Sequence, residues 1–497
     1  MENASRPFLV TGNPAMLEND CACTDTNYVL YVNQGIEQLN DDCACADTQI
    51  ARGEQTRPFP QYPYIKTADS HTASLPKSYH LAFSPYALGG PSILNHAAWE
   101  RWHQFAQPQP VAKPFDKQLA AQGLIHPNLT PPTIQAGQPQ ILTAWLHITN
   151  ACNLDCPYCY VRKSSARMSL ETGRQAVAAI FDTAKKNGFS QVKLKYAGGE
   201  ATLHFKRIRQ LHEYAQALSQ MVGIGLKAVV LTNGVMLCKE DAHWLYKNHV
   251  KVAVSLDGVG AMHNQLRPLP TGAPFDTFSR VAHTIDDVLL PLGIRPDITM
   301  TVTAVNARGT ADLAKWALID RNLPTSFNFY RQNTQSSSHT ELALEEEAII
   351  QGMLAAYKVI EQHLPERPFL DGLLDRVQTQ AHTHTCGVGQ SYIVISHTGQ
   401  ISQCQMHVNT PMTTTFNEDL LLTVQQGPLK NLSVHEKDAC STCQFRYRCS
   451  GGCPLEAYRQ TGQWHARNPN CHIYKTLYPE ALRLEGLRLM KINGLLT

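Results

Sequence analysis

Between residues 140 and 335 the chain alternates strand and helix six times, and this limits the folds open to it more than any other feature. Residues 141–148 place Leu142, Ala144, Leu146 and Ile148 on one face, with the period of two that marks a strand. Ser169 then caps a helix whose apolar stripe includes Val177, Ile180, Phe181 and Ala184, closed by Gly188. Further strands are predicted over 192–196, 226–231, 252–256, 298–305 and 326–330. Repeated βα units require an α/β fold with a parallel sheet and helices outside it. Six units fall short of the eight that close a complete barrel.

In such a sheet the chemistry gathers at the C-terminal ends of the strands. Cys152, Cys156 and Cys159 follow the first strand in Cys-Asn-Leu-Asp-Cys-Pro-Tyr-Cys. A [4Fe–4S] cube normally takes four thiolates. Three in one tight loop leave an iron open to a small chelating ligand. The competing reading is zinc, but zinc pairs usually read C-x2-C with a second, distant pair. After the second strand come Gly198, Gly199 and Glu200. Two glycines let the backbone approach a ligand, and a carboxylate just past them can pair with an ammonium. Ser255, Asp257 and Gly258 follow the fourth strand, and then His263, Asn264 and Arg267.

Together these segments resemble the radical S-adenosylmethionine (SAM) enzymes. The resemblance implies a partial (β/α)6 TIM-like barrel over 140–335, open on one side. It implies that Cys152, Cys156 and Cys159 hold a [4Fe–4S] cluster whose free iron takes the amino and carboxylate groups of SAM. Gly198, Gly199 and Glu200 then match the loop that holds the SAM amino group, with Ala201 in place of the usual proline. Ser255 and Arg267 would meet the carboxylate and ribose side of SAM. Asp257 belongs to the same motif, Asn264 replaces the usual aspartate, and Tyr158 would lie near the adenine.

A second cysteine pattern follows a helical connector, 336–385. Cys386 and Cys404 flank Gly399. Cys440-x2-Cys443-x5-Cys449-x3-Cys453 comes next, and Cys471 follows after seventeen intervening residues. This order resembles the SPASM domain, placed here at 386–475, which binds auxiliary [4Fe–4S] clusters. By that pattern Cys386, Cys404 and Cys453 hold one cluster, and Cys440, Cys443, Cys449 and Cys471 hold another, three clusters in all. The first auxiliary set has only three protein thiolates. Its free iron could take a substrate thiolate, or His382 or His384 could cap it. Cys238 reads as a small core residue in a helix, and 476–497 as a C-terminal amphipathic helix.

Residues 1–76 read as a polar extension. It carries a near-repeat in which Cys21-Ala-Cys23 and Cys43-Ala-Cys45 recur in similar settings. An inert tail, a soft-metal clip and a mimic of the chain's own substrate are all open readings. In 77–130, a strand and a turn lead to Asn95, which can cap a helix carrying Ala98, Trp99, Trp102 and Phe105; a second short helix follows. This resembles the small winged-helix-like domain that grips leader peptides. An ordinary structural domain is the alternative.

Composition narrows the function. At 497 residues, several domains are expected. The net charge of +2 gives no footprint for nucleic acid or an anionic membrane surface. No run of about 18 apolar residues spans a bilayer, and no signal peptide is visible. The fifteen cysteines fall in clusters, which points to a reducing, cytoplasmic setting.

The resemblance implies an oxidoreductase. A low-potential donor such as flavodoxin or ferredoxin reduces the first cluster, and SAM is cleaved to methionine and a 5′-deoxyadenosyl radical that abstracts hydrogen from substrate. The leading substrate is a ribosomal precursor peptide that gains an oxidative crosslink, a thioether first and a carbon–carbon bond second. The alternatives are a sulfatase-type formylglycine-generating maturase and a non-catalytic Fe–S peptide-binding module. No acid or base stands out in the sequence.

Overall fold

The computed structural model describes residues 7–11, 30–32, 62–87, 89–128, 132–413, 416 and 419–496. Cys21, Cys23, Cys43 and Cys45 lie outside the described residues.

The N-terminal strands are β1 (Leu9–Thr11), β2 (Leu30–Val32), β3 (Tyr64–Lys66), β4 (His71–Leu75), β5 (Tyr79–Phe83) and β6 (Ser92–Leu94). Helices α1 (His96–Gln104) and α2 (Pro114–Ala121) follow, then β7 (Ile125–Pro127) and β8 (Ile134–Ala136). An antiparallel sheet runs β1-β6-β5-β4, so strands on either side of position 76 pair with each other. Asn95 caps α1 as its sequence predicts, with its side-chain oxygen accepting from the Ala98 amide at 2.9 Å. Ala98, Trp102 and Phe105 are fully buried, whereas Trp99 is only partly so and stacks on His80. A buried, two-pronged ion pair between Arg101 and Asp116, both contacts 2.8 Å, fastens α1 to α2.

The α/β body follows in order: β9 (Ile141–Thr149), α3 (Leu170–Lys186), β10 (Gln191–Gly198), α4 (Phe205–Val222), β11 (Gly225–Thr232), α5 (Lys239–Lys247) and β12 (Lys251–Ser255). Next come α6 (Ala261–Leu266), α7 (Thr277–His283), β13 (Asp297–Val302), α8 (Thr310–Leu313), β14 (Thr325–Phe329), α9 (Glu346–Gln362) and α10 (Leu370–Leu373). The C-terminal part adds β15 (Tyr392–Ile395), β16 (Ile401–Ser402), α11 (Leu420–Gln425), α12 (Arg446–Cys449), α13 (Pro454–Thr461) and α14 (Cys471–Ile492).

The six predicted strands pair in parallel in the order β14-β13-β12-β11-β10-β9. Beyond them the sheet holds two strands that the sequence pattern does not reveal. β15 lies parallel to β9, and β16 lies antiparallel to β15, for eight strands in all. The Cys-rich segment therefore extends the sheet itself. Every residue of β9 is buried. Leu142, Ala144, Leu146 and Ile148 face the main core, and Trp145 faces inward beside Cys386 and Cys404. Both faces are covered, as parallel sheets require.

α14 is longer than the sequence predicts. It begins at Cys471 and continues through Pro479, which costs it only local hydrogen bonding. Leu482, Leu484, Leu487 and Leu489 are buried, and Gly486 lies against Leu81 and Ile93 of the N-terminal sheet. α9 packs as tightly: a Cβ on Gly352 would stand 2.1 Å from the Ala307 carbonyl oxygen. Gly352→Ala is expected to cost about 1–3 kcal/mol through overpacking, measured as a lowered denaturation midpoint. Cys238 departs from its predicted place in the core. It is exposed at the N-terminal boundary of α5, where the chain turns outward after the buried Leu237.

Candidate active site

The loop after β9 and the turn after β10 are hydrogen-bonded to each other past the ends of their strands. The Gly199 amide donates to the Thr149 carbonyl at 2.7 Å, and the Glu200 amide to that of Ala151 at 2.8 Å. The approach leaves no room for a side chain: a Cβ on Gly199 would sit 2.4 Å from the Ala151 oxygen. The two glycines thus press the turn against the start of the Cys152 loop. Gly199→Ala pushes that loop aside. On the radical SAM resemblance, a shift of about 1 Å is expected to slow SAM cleavage about 10²-fold, read as 5′-deoxyadenosine formed per minute.

Glu200 is buried, and its carboxylate joins the ends of β10 and β11. Oε1 accepts from the Thr202 amide (3.0 Å), Thr202 Oγ1 (2.6 Å) and Thr232 Oγ1 (2.8 Å). Oε2 accepts from the Asn233 amide at 2.6 Å. Burial pushes its carboxyl above the ordinary value, against the pull of those donors. With one donor on Oε2, a lone pair of that oxygen stays free for a cationic ligand.

Asn233 is a site residue that sequence reasoning passed over. Its side-chain Nδ2 donates to Asn153 Oδ1 at 2.8 Å and lies 4.0 Å from Cys152 Sγ, which fixes the cysteine loop against the end of β11. The only sequence signal for it is the Thr-Asn-Gly turn that ends the third strand.

On the opposite side, Tyr158, Asp257 and Arg267 form one buried unit. Arg267 Nε donates to Asp257 Oδ2 at 2.7 Å, and the Tyr158 hydroxyl donates to the same oxygen. The Thr301 amide donates to Asp257 Oδ1 at 2.9 Å, and the guanidinium lies over the Tyr158 ring. Tyr158, Arg267 and Ser255 line the cavity, while Asp257 stands behind them and orients Arg267 and Tyr158. Burial holds His263 neutral, pushed down to about 3, and its Nδ1 accepts from the Asp257 amide. Asn264 donates to Asp276 and accepts from Thr277 and Phe278. An aspartate in its place would set two carboxylates against each other.

The cysteines sort into two groups by cavity. A cavity of about 350 Å³ is lined by Cys152, Cys156 and Cys159 and also by Cys386, Cys404 and Cys453. A separate cavity is lined by Cys440, Cys443, Cys449 and Cys471. Cys453 thus leaves its sequence neighbours and joins Cys386 and Cys404. His382 and His384 line neither cavity. Among the described residues no three His, Cys, Asp or Glu side chains are drawn together as tightly as a single bound ion requires. A cube spaces its thiolates more widely than one tetrahedral zinc does. Burial pushes the thiols of Cys156, Cys404 and Cys449 up to about 12 and that of Cys152 up to about 11. Binding iron must therefore release protons. The donor chemistry, the glycine-backed turn and the cavity beside them fit an iron–sulfur cluster with a SAM-sized ligand.

Residues 146–286 match the family model of the Radical SAM superfamily. An AdoMet-dependent heme synthase of Oleidesulfovibrio alaskensis is 24% identical over 379 residues, spanning 71% of this chain and 92% of that relative. The antilisterial bacteriocin subtilosin biosynthesis protein AlbA of Bacillus subtilis is 25% identical over 346 residues, spanning 66% and 70%. Among solved structures, native anSMEcpe with bound AdoMet and the Cp18Cys peptide superposes with a TM-score of 0.54 at 19% identity, covering 72% of this chain and all of that one. That last likeness is one of fold. No helix among the described residues is long and apolar enough to cross a membrane. The matched span begins in β9 and takes in the cysteine loop, the glycine turn and Arg267. Residues 146–286 form a radical SAM domain, and that superfamily implies an enzyme with a [4Fe–4S] cluster and SAM as its cofactors.

Proposed function

We propose that the chain is a peptide maturase that installs an oxidative crosslink in a ribosomal precursor peptide. The observation that carries this is the shared cavity, lined by Cys152, Cys156 and Cys159 and also by Cys386, Cys404 and Cys453. A substrate lying between them meets both sets. The similarity to a bacteriocin biosynthesis protein favours a peptide substrate over a small molecule.

On this reading, Cys152, Cys156 and Cys159 hold the SAM-binding cluster. Cys386, Cys404 and Cys453 hold an auxiliary cluster, and Cys440, Cys443, Cys449 and Cys471 hold a second, in a SPASM domain over 386–475. When bound, these groups supply one-electron chemistry: reductive cleavage of SAM for hydrogen removal at the first site, and a one-electron oxidant at the auxiliary sites. Gly198, Gly199 and Glu200 hold the SAM amino group, and Ser255 and Arg267 its carboxylate and ribose side. Tyr158 lies against the adenine, and Asp257 keeps Arg267 and Tyr158 in position.

The peptide loses one hydrogen atom from carbon, one proton from a cysteine thiol and one electron, and gains a carbon–sulfur bond. A thioether is the first choice because Cys386, Cys404 and Cys453 leave a fourth ligand position for a substrate thiolate. A carbon–carbon bond is the second. Residues 77–130 would hold the leader segment, and a flavodoxin or ferredoxin would supply the electron for SAM cleavage.

Mass spectrometry of the peptide encoded beside this chain, after co-expression, tests the reading. A loss of two hydrogens per crosslink, with one cysteine thiol no longer alkylatable, is expected. An unchanged peptide mass alongside active SAM cleavage would sink it. Conversion of a serine or cysteine to formylglycine would instead favour a sulfatase-type maturase.

A further inference from the structure

Lys437 lies in His-Glu-Lys-Asp, a run that reads as solvated charge, yet its side chain is only 2% exposed. Its Nζ donates to the Ser450 carbonyl at 2.6 Å and reaches Thr385 Oγ1 at 3.4 Å. Ser450 follows Cys449, which belongs to the set of Cys440, Cys443 and Cys471. Thr385 precedes Cys386, which belongs to the set facing the active cavity. The Thr385 hydroxyl also reaches the Ser450 and Gly452 carbonyls, at 3.0 and 2.8 Å, so the two sets are tied together around the ammonium. The backbone makes a third link, because the Lys437 carbonyl accepts from the Cys440 amide at 3.2 Å.

Gly451 opens the channel through which this side chain passes. A Cβ there would stand 2.5 Å from Lys437 Cδ and 3.1 Å from Nζ. Among the described residues no carboxylate forms an ion pair with Lys437. Burial pulls its ammonium down, and negative charge on the sulfurs of Cys440, Cys386, Cys449 and Cys453, two from each set, works against that pull. A full charge in so dry a place acts over a longer distance than it would at the surface.

We propose that Lys437 is a positioning residue whose fixed charge, held between the two C-terminal cysteine sets, raises the reduction potential of an iron–sulfur cluster in either set. The inference rests on the auxiliary-cluster reading above. Each added electron makes a cluster more negative, and a buried cation nearby stabilises the reduced form. Lys437 thus makes both sites readier to accept the electron that the peptide gives up.

The test compares Lys437→Gln, which keeps a donor for Ser450 but removes the charge, with Lys437→Arg, which keeps the charge. The measurements are iron content and EPR-monitored potentiometry of the anaerobically reconstituted full chain. Lys437→Gln is expected to retain its iron and to lower both auxiliary potentials by about a tenfold change in the reduction equilibrium, ~59 mV for one electron. The SAM-binding cluster should scarcely move, and Lys437→Arg should stay near wild type. An iron-replete Lys437→Gln with unchanged potentials overturns the inference. If Lys437→Gln loses auxiliary iron and Lys437→Arg keeps it, the charge holds the clusters in place rather than setting their potential, and the inference is overturned. Equal loss in both variants makes Lys437 a structural strap and overturns it. A wild-type chain that binds only about four irons sinks the underlying auxiliary-cluster reading instead.

Discussion

A Cys404→Ala enzyme is expected to keep producing 5′-deoxyadenosine while its peptide leaves unmodified. Cys404 lines the same cavity as Cys152, Cys156 and Cys159 but belongs to the set completed by Cys386 and Cys453. Removing it leaves the Cys152 loop, the glycine turn and the Arg267 unit in place, so SAM cleavage should stay within a few-fold of wild type. Crosslinked product should fall by more than ~100-fold, because loss of even an outer-shell partner typically costs 10–100-fold and Cys404 is assigned as a direct ligand. The two yields, from one reaction mixture, separate the roles of the two cysteine sets. Equal loss of both products would place Cys404 in the SAM site or in the fold. Crosslinking at the wild-type rate would remove the auxiliary set from the chemistry.

The second large effect concerns the buried Arg267–Asp257 pair. Asp257 is fully buried and Arg267 nearly so. Asp257→Asn keeps the shape but leaves the guanidinium without its counter-charge in a dry site, and breaking such a pair costs about 3–5 kcal/mol. Anaerobic denaturant titration of the loaded enzyme measures it. Asp257→Asn combined with Arg267→Met should lose less stability than Asp257→Asn alone, because no charge is then stranded. SAM binding should remain weak in the double variant, since Arg267 itself lines the cavity. If the losses simply add, the pair is not coupled, and the account of Asp257 as the residue that orients Arg267 fails.

Much of this architecture is legible in the chain. The six parallel strands are readable because apolar strand-period runs alternate with helix-period ones, the first helix opening on its Ser169 cap. The cysteine loop, Glu200 and Arg267 are readable because chemistry in a parallel sheet gathers at strand ends. What escapes the sequence depends on contacts between distant segments. β15 is four residues long and lies between cysteines, so no periodicity marks it, and only its pairing with β9 makes it a strand. The sharing of Asp257 between Tyr158 and Arg267 joins residues 99 and 10 positions apart. Lys437 and its acidic neighbours look solvated until Thr385 and Ser450 close over the ammonium. Cys238 fails in the opposite sense, since a lone cysteine beside buried Leu237 gives no sign of which way the chain turns.

The central claim is that Cys152, Cys156 and Cys159 hold a cube with one iron left for SAM. The most direct measurement gives dithionite and SAM to the anaerobically reconstituted chain and quantifies 5′-deoxyadenosine and methionine beside a Cys156→Ala control. The account predicts both products in equal amounts from the wild type and only background from the control. Intact SAM in a wild-type enzyme that carries its full iron, or equal cleavage by Cys156→Ala, would contradict it.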